Sequence, residues 1–118
     1  MLPKINPTTT SSWQSLQHHF SEMKTVQMKT LFVAESDRFN KYSLSSGDIL
    51  FDYSKNIITE RTIQLFIELA NECRLTSAIE AMFNGEKINE TENRAVLHTA
   101  LRNFSGKPVI YISSQFSD

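Results

Sequence analysis

The stretch that most limits what this chain can become is ITERTIQLFIELANE, residues 58–72. Thr59 stands where a helix needs its cap, and Glu60 follows in the first turn, where the helix dipole favours a carboxylate. Ile58 is placed to staple onto Ile63. Ile63, Phe66, Ile67 and Ala70 recur at helical spacing, and Leu65 and Leu69 widen the stripe. The pattern predicts an amphipathic helix with that stripe turned inward.

Other segments are arranged around it. TTTSS after Pro7 offers caps for a first helix, in which Trp13, Leu16, Phe20 and Met23 share a face. MKTLFVAESDRFNKYS, residues 28–43, reads as one or two short helical turns with Leu31, Phe32 and Phe39 inward. DILFDYS carries the run Ile49, Leu50, Phe51, which predicts a buried strand, and SKN then turns the chain. Thr76 is the expected cap of a further helix containing Ile79, Met82 and Phe83, with Gly85 in the left-handed position past its end. PVIYI, from Pro108 to Ile112, predicts a second buried strand.

Composition excludes several classes of function. With 118 residues the chain is long enough for one modest core. A formal net charge of −1 gives no basic excess for a phosphate backbone, so no nucleic-acid partner is expected. No run approaches the roughly 20 apolar residues that span a bilayer, and the opening residues lack a secretory pattern, so we expect no membrane partner and a cytoplasmic protein. A lone Cys73, set in a helical apolar pattern, fits a reducing compartment and a small core residue. Gly47, Gly85 and Gly106 are the only glycines and lie far apart, which excludes a glycine-rich phosphate cradle. His18 and His19 are adjacent and diverge by about 100° on a helix, so they cannot chelate one metal well. No serine sits in a G-x-S-x-G elbow.

The densest polar block is MFNGEKINETENRAVLHTALRN, residues 82–103. Asn89 is a good cap and Glu92 falls where it bonds back to one, which predicts a helix from Asn89 to about Arg102. Val96, Leu97, Ala100 and Leu101 would form its apolar face. Arg94, His98 and Arg102 follow at four-residue spacing and would share another face. Such a cationic stripe suits a phosphate or carboxylate ligand, or ion pairs with Glu86, Glu90 or a neighbouring element. Bracing by ion pairs is the commoner use.

Those same residues carry a resemblance. DYSKNIITERT (Asp52–Thr62) followed by GEKIN-x-TE-x-RAVLH-x-ALRN (Gly85–Asn103) resembles the N-terminal part of the glucose-6-phosphate isomerase (phosphoglucose isomerase) family. DRFNKYS and INPTTTSSWQSLQHHFSEMK fit the same family in the same order, so the similarity runs from about Ile5 to Val109. It implies an α/β fold: a mainly helical N-terminal segment, with one or two short strands, of an α/β/α sandwich of the sugar-isomerase type. Residues 1–118 would then be the N-terminal segment of such an isomerase, incomplete relative to the whole enzyme.

The family interconverts D-glucose 6-phosphate and D-fructose 6-phosphate through an enediol, in glycolysis and gluconeogenesis, without metal or organic cofactor, and its members are usually homodimers. Its serine/threonine phosphate loop, its Gly-Gly-Arg-Phe-Ser signature, its glutamate base, its ring-opening histidine and its C-terminal lysine have no counterpart in this chain. The resemblance therefore implies no catalytic, cofactor-binding or metal residue here. Residues 82–103 would be scaffold, with Arg94, His98 and Arg102 bracing neighbours and a role near the active site open for Arg94 or His98. Two alternatives are a self-contained helical protein-binding module that uses the charged face of residues 86–102, and a structural domain of a fused multi-enzyme protein.

Overall fold

A computed structural model of the chain describes Leu2 and residues 4–108. The chain divides into two compact units, one formed by Thr8–Leu69 and the other by the residues before Thr8 together with those from Ala70 onward. Among the described residues helices dominate, and the one sheet is a two-stranded antiparallel hairpin. This is the mainly helical α/β chain that the sequence predicts.

A short 3-10 turn, Pro7–Thr9, leads into the first unit's α1, Ser11–Met23. Thr10 is its cap: with φ −81° and ψ 155°, its hydroxyl accepts the Trp13 N–H at 3.2 Å. The inward face is Ser12 and His19, both buried, with Leu16 and Met23 half-buried between and beyond them. Phe20, expected inside, is 66% exposed because it lies one residue off that line.

The next segment forms two short helices, α2 at Met28–Ala34 and α3 at Arg38–Lys41. Leu31 and Phe32 are half-buried, but Phe39 is exposed, and Arg38 holds the interior position of α3 instead. Beyond α3, β1 (Ser43–Ser46) pairs with β2 (Ile49–Asp52) in the register Ser43↔Asp52, Leu44↔Phe51, Ser45↔Leu50 and Ser46↔Ile49. Gly47, at φ 55°, takes the first position of the two-residue turn, where a positive φ costs a glycine little.

The strand at Ile49–Asp52 is present as expected; its burial is not. Leu44, Ile49 and Phe51 share one face and remain 61–72% exposed, because no second layer among the described residues covers the hairpin. The partner strand SLSS was not anticipated, since serine gives no strand signal.

SKN turns the chain as predicted, with the Asn56 N–H bonded to the Tyr53 carbonyl at 3.2 Å, and α4 follows at Glu60–Glu72. Thr62 reaches back from inside this helix: its Oγ1 accepts the Thr59 N–H at 3.0 Å, while the Thr59 carbonyl accepts the Ile63 N–H at 3.2 Å. The start thus carries one half of a capping box, in which threonine does the work usually given to Glu or Gln. Buried positions of α4 are Thr62 and Leu65, with Ile63, Leu69 and Ala70 half-buried. Phe66 and Ile67, placed on the inward stripe by the sequence reading, are 52% and 56% exposed. The inward direction is set by Leu65, so the stripe is rotated and wider than the first unit covers.

In the second unit α5 spans Leu75–Phe83 and contains Ile79, Met82 and Phe83 as expected. Its cap is Arg74, in the left-handed conformation with φ 56°, and Thr76 lies inside the helix. The tight link from α4 leaves no extended residue for Thr76 to occupy. Gly85 takes the predicted left-handed position at φ 71°, and the end closes as a Schellman motif. There the Glu86 N–H meets the Ala81 carbonyl at 3.0 Å and the Gly85 N–H meets that of Met82 at 3.3 Å.

The helix predicted from Asn89 to Arg102 does not form. Asn89 and Arg94 instead close a turn, and only a 3-10 segment, Ala100–Arg102, follows. The strand predicted at Pro108–Ile112 lies, past Pro108, outside the described residues. Among the described residues no helix is long and apolar enough to cross a membrane.

Candidate functional site

The block at residues 82–103 is built from local polar bonds. The Asn89 N–H donates to the Arg94 carbonyl at 3.0 Å, and the Arg94 N–H returns to the Asn89 carbonyl at 3.1 Å. Inside this ring Asn89 Oδ1 accepts the Thr91 hydroxyl at 2.8 Å and the Glu92 N–H at 3.4 Å, while Asn89 Nδ2 donates to Glu92 Oε2 at 2.9 Å. Asn93 sits at φ 53°.

The predicted pairing of Asn89 with Glu92 is therefore real, yet it closes a turn and does not start a helix. Asparagine and threonine side chains offer the backbone an alternative to helix bonds, and a left-handed Asn93 ends any helical run. A helix of this length also needs a buried face to persist. Here Leu97 is 38% and Leu101 87% exposed.

The cationic stripe dissolves with the helix. Arg94 donates to Glu92 in an exposed ion pair, His98 is exposed in a turn, and Arg102 ends the 3-10 segment. Glu90 pairs with Lys4 at 2.6 Å and not with the stripe. Exposed pairs of this kind contribute little to stability and hold geometry loosely.

More order is found in the first unit, at residues the sequence reading did not single out. Arg38 is fully buried. Its Nε donates to the Ser54 carbonyl at 2.9 Å, and its Nη2 donates to those of Asn56 at 2.9 Å and Ile58 at 2.8 Å. Nη1 meets Glu35 Oε2 at 2.7 Å, and the guanidinium lies 4.5 Å from the Tyr42 ring centroid and 5.7 Å from that of Phe32. A planar fork with five donors is the one side chain able to hold three carbonyls and a carboxylate together. Lys41 Nζ, 3.0 Å from Glu35 Oε1, lowers the Glu35 carboxyl from its ordinary value, with Arg38 assisting; Glu35 in turn raises Lys41. Nearby, the Ser54 hydroxyl at 2.6 Å and N–H at 2.9 Å lower Asp52, and Lys55 adds to the effect.

The second ordered cluster joins α1 to α4. Buried His19 places Nε2 2.7 Å from Thr62 Oγ1 and Nδ1 3.3 Å from Glu22 Oε2. A hydroxyl, an imidazole and a carboxylate in series is the order used for nucleophilic catalysis. Thr62, however, is buried, and its oxygen already accepts the Thr59 N–H. The arrangement braces the start of α4 against α1 and presents no hydroxyl to a substrate. As the sequence predicts, the adjacent histidines diverge: the side chain of His18 is 81% exposed and that of His19 is 11% exposed. Cys73 is half-buried. Among the described residues no three His, Cys, Asp or Glu side chains gather as a metal site would require.

One local signal pointed to Arg38, namely an aromatic residue four positions on, at Tyr42. His19 and Thr62 lie 43 residues apart, and nothing local joins them.

The sequence model of the phosphoglucose isomerase family matches residues 52–115, which is more than half of the chain. The match begins at Asp52, the last residue of β2, and runs through α4, α5 and the Asn89–Arg94 turn.

Proposed function

The chain belongs to the phosphoglucose isomerase family, and from that premise we propose that it is a scaffold segment of an enzyme interconverting D-glucose 6-phosphate and D-fructose 6-phosphate. The reaction in this reading opens the sugar ring, moves a proton between C2 and C1 through an enediol, and closes the ring again. It needs a base within hydrogen-bond reach of the carbon-bound proton, fixed donors or positive charge for the enediolate, and backbone N–H groups or hydroxyls for the phosphate. We assign those parts to residues outside this chain. The working enzyme would be a cytoplasmic homodimer that uses no metal or organic cofactor.

The observation that carries the reading is the family match over residues 52–115. The scaffold part of the proposal draws support from exposed apolar surface. Phe20, Ile49, Phe51 and Phe66 in the first unit, and Phe83, Leu101 and Phe104 in the second, are each more than half exposed. Single exposed apolar residues are ordinary, but this many large ones suit a layer that further protein covers.

The test is the formation of glucose 6-phosphate from fructose 6-phosphate, read as NADPH from a coupled dehydrogenase. The complete source protein should catalyse it, and the 118-residue chain alone should not. An inert complete protein would refute the isomerase reading, and turnover by the chain alone would refute the scaffold reading. In the complete protein Arg94→Ala should leave turnover per folded molecule intact. A collapsed rate at full stability would move Arg94 into the active site.

A further inference from the structure

Of the asparagines in the chain, only Asn84 is followed by glycine. It stands just past α5, exposed, and its side-chain amide makes no hydrogen bond among the described residues. Asn40, Asn56, Asn89 and Asn103 by contrast donate their amides to Asp37, the Tyr53 carbonyl, Glu92 and the Lys107 carbonyl. An asparagine side-chain carbonyl carbon is an electrophile one ring closure away from the next residue's backbone nitrogen, and a glycine there brings no Cβ to obstruct the approach.

In the folded chain this attack is held off. Ring closure requires the Gly85 nitrogen to swing toward Asn84 Cβ, but at φ −81° and ψ 2° it lies on the side of Asn84's own nitrogen. The Gly85 N–H is also engaged with the Met82 carbonyl at 3.3 Å, and the following Glu86 N–H meets the Ala81 carbonyl at 3.0 Å. Turning the Cα–C bond of Asn84 breaks both of these bonds, which close the Schellman motif. The reactive geometry is therefore reached only when the end of α5 opens, a local event that need not unfold the rest.

We propose that Asn84 is a site of spontaneous deamidation and that the closed end of α5 gates it. With the end open, the Gly85 nitrogen gives its proton to a solvent base and attacks Asn84 Cγ. A Cγ–N bond forms, the Cγ–Nδ2 bond breaks, and the amide nitrogen takes up a proton and leaves as ammonia, which creates a cyclic imide. Water then opens the imide at either carbonyl and gives an aspartyl or an isoaspartyl residue at position 84. Either product puts a carboxylate at the negative pole of α5, where the helix dipole opposes it. The isoaspartyl form also routes the main chain through Cβ, so the N–H groups of Gly85 and Glu86 lose their register with the Met82 and Ala81 carbonyls. The motif cannot then reclose, and the site keeps a one-way record of how long the end of α5 has stood open. The proposal is independent of the isomerase reading, because it requires neither substrate nor turnover.

The whole 118-residue chain would be incubated at mildly alkaline pH in native buffer and, in parallel, in guanidinium chloride, and tryptic digests would be read by mass spectrometry. In the peptide of residues 75–87 Asn84 is the only asparagine. This peptide should gain an acid, with the isoaspartyl form in the larger share, while the other asparagines stay intact over the same time. Two backbone bonds of ordinary strength predict a native rate about thirtyfold below the denatured rate. Ala81→Gly loosens the last turn without touching the reacting atoms. It should raise the native rate about fivefold and leave the denatured rate unchanged. Gly85→Ala, read in denaturant, should slow the reaction by about tenfold. An intact Asn84 in denaturant, earlier loss of another asparagine amide, or an unchanged rate in Gly85→Ala would overturn the site. Equal native and denatured rates, or no response to Ala81→Gly, would overturn the gate.

Discussion

Replacing Arg38 is the sharpest test of what holds the first unit together. Arg38→Met keeps an unbranched stem at this buried position but removes the guanidinium from the Tyr42 and Phe32 rings, and three backbone carbonyls lose a charged donor. The Ser54 carbonyl bond is buried and those of Asn56 and Ile58 are partly buried, so water can replace the donor only at the latter two. Taking about 2 kcal/mol for the first and about 1 kcal/mol for each of the others gives a loss of about 4 kcal/mol. Small domains hold about 5–15 kcal/mol in all, so this is a large part of the total. At about 4 °C per kcal/mol the midpoint should fall by roughly 15 °C.

Arg38→Lys keeps the charge but cannot span three acceptors, and should lose roughly half as much. The assay is urea and thermal unfolding followed by circular dichroism. Arg61→Lys serves as the control, since Arg61 meets Glu68 at 3.3 Å on the surface and its change should stay within about 0.5 kcal/mol. If Arg38→Lys is as harmless as Arg61→Lys, the clamp contributes no stability.

Thr62→Val should cost about 1–3 kcal/mol in urea unfolding, because it leaves His19 Nε2 and the Thr59 N–H without their partner, whereas Thr62→Ser should recover most of that. Gly85→Ala should lower stability by about 1 kcal/mol, since alanine resists the left-handed conformation that ends α5. Glu35 and Asp52 are both lowered in the folded state from ordinary values of 4.5 and 3.8. Their stabilisation is therefore complete above those values and is lost as pH falls below them. The urea midpoint should drop between pH 6 and pH 3, and less steeply in Asp52→Asn; an identical slope in the variant would contradict this. Lys41, raised by Glu35, should contribute below its ordinary value of 10.5 and lose that contribution as pH climbs past it, a decline that Glu35→Gln should remove.

Helices with strong caps and clear apolar spacing were legible in the sequence. Thr10 and Thr59 stand at the starts of α1 and α4, and Gly85 ends α5. The rotation of each helix was less legible. Phe20, Phe66 and Ile67 satisfy the spacing rule, but which of several apolar residues turns inward depends on the neighbour, and here polar His19 and Thr62 took the interior places. The block at residues 89–102 shows the opposite failure. Asn89 and Glu92 have the spacing of a helix cap, but no helix starts there, because their side chains bond to each other around a turn instead. At the site level, the expected grouping of Arg94, His98 and Arg102 depended on that helix and went with it.

The clamp at Arg38 has a topological consequence. Its acceptors lie 16 to 20 residues downstream, and the whole hairpin, β1 to β2, is enclosed between donor and acceptors. The Tyr53 N–H bonded to the Tyr42 carbonyl at 3.0 Å shuts the same loop from inside. One side chain thus works as a reversible cross-link in a chain with a single cysteine. Proteolytic nicking between Gly47 and Asp48 would cut the hairpin at its tip yet leave its base tied. The two pieces should co-purify in native buffer and separate only in denaturant, and an Arg38→Met chain nicked at the same bond should come apart without it.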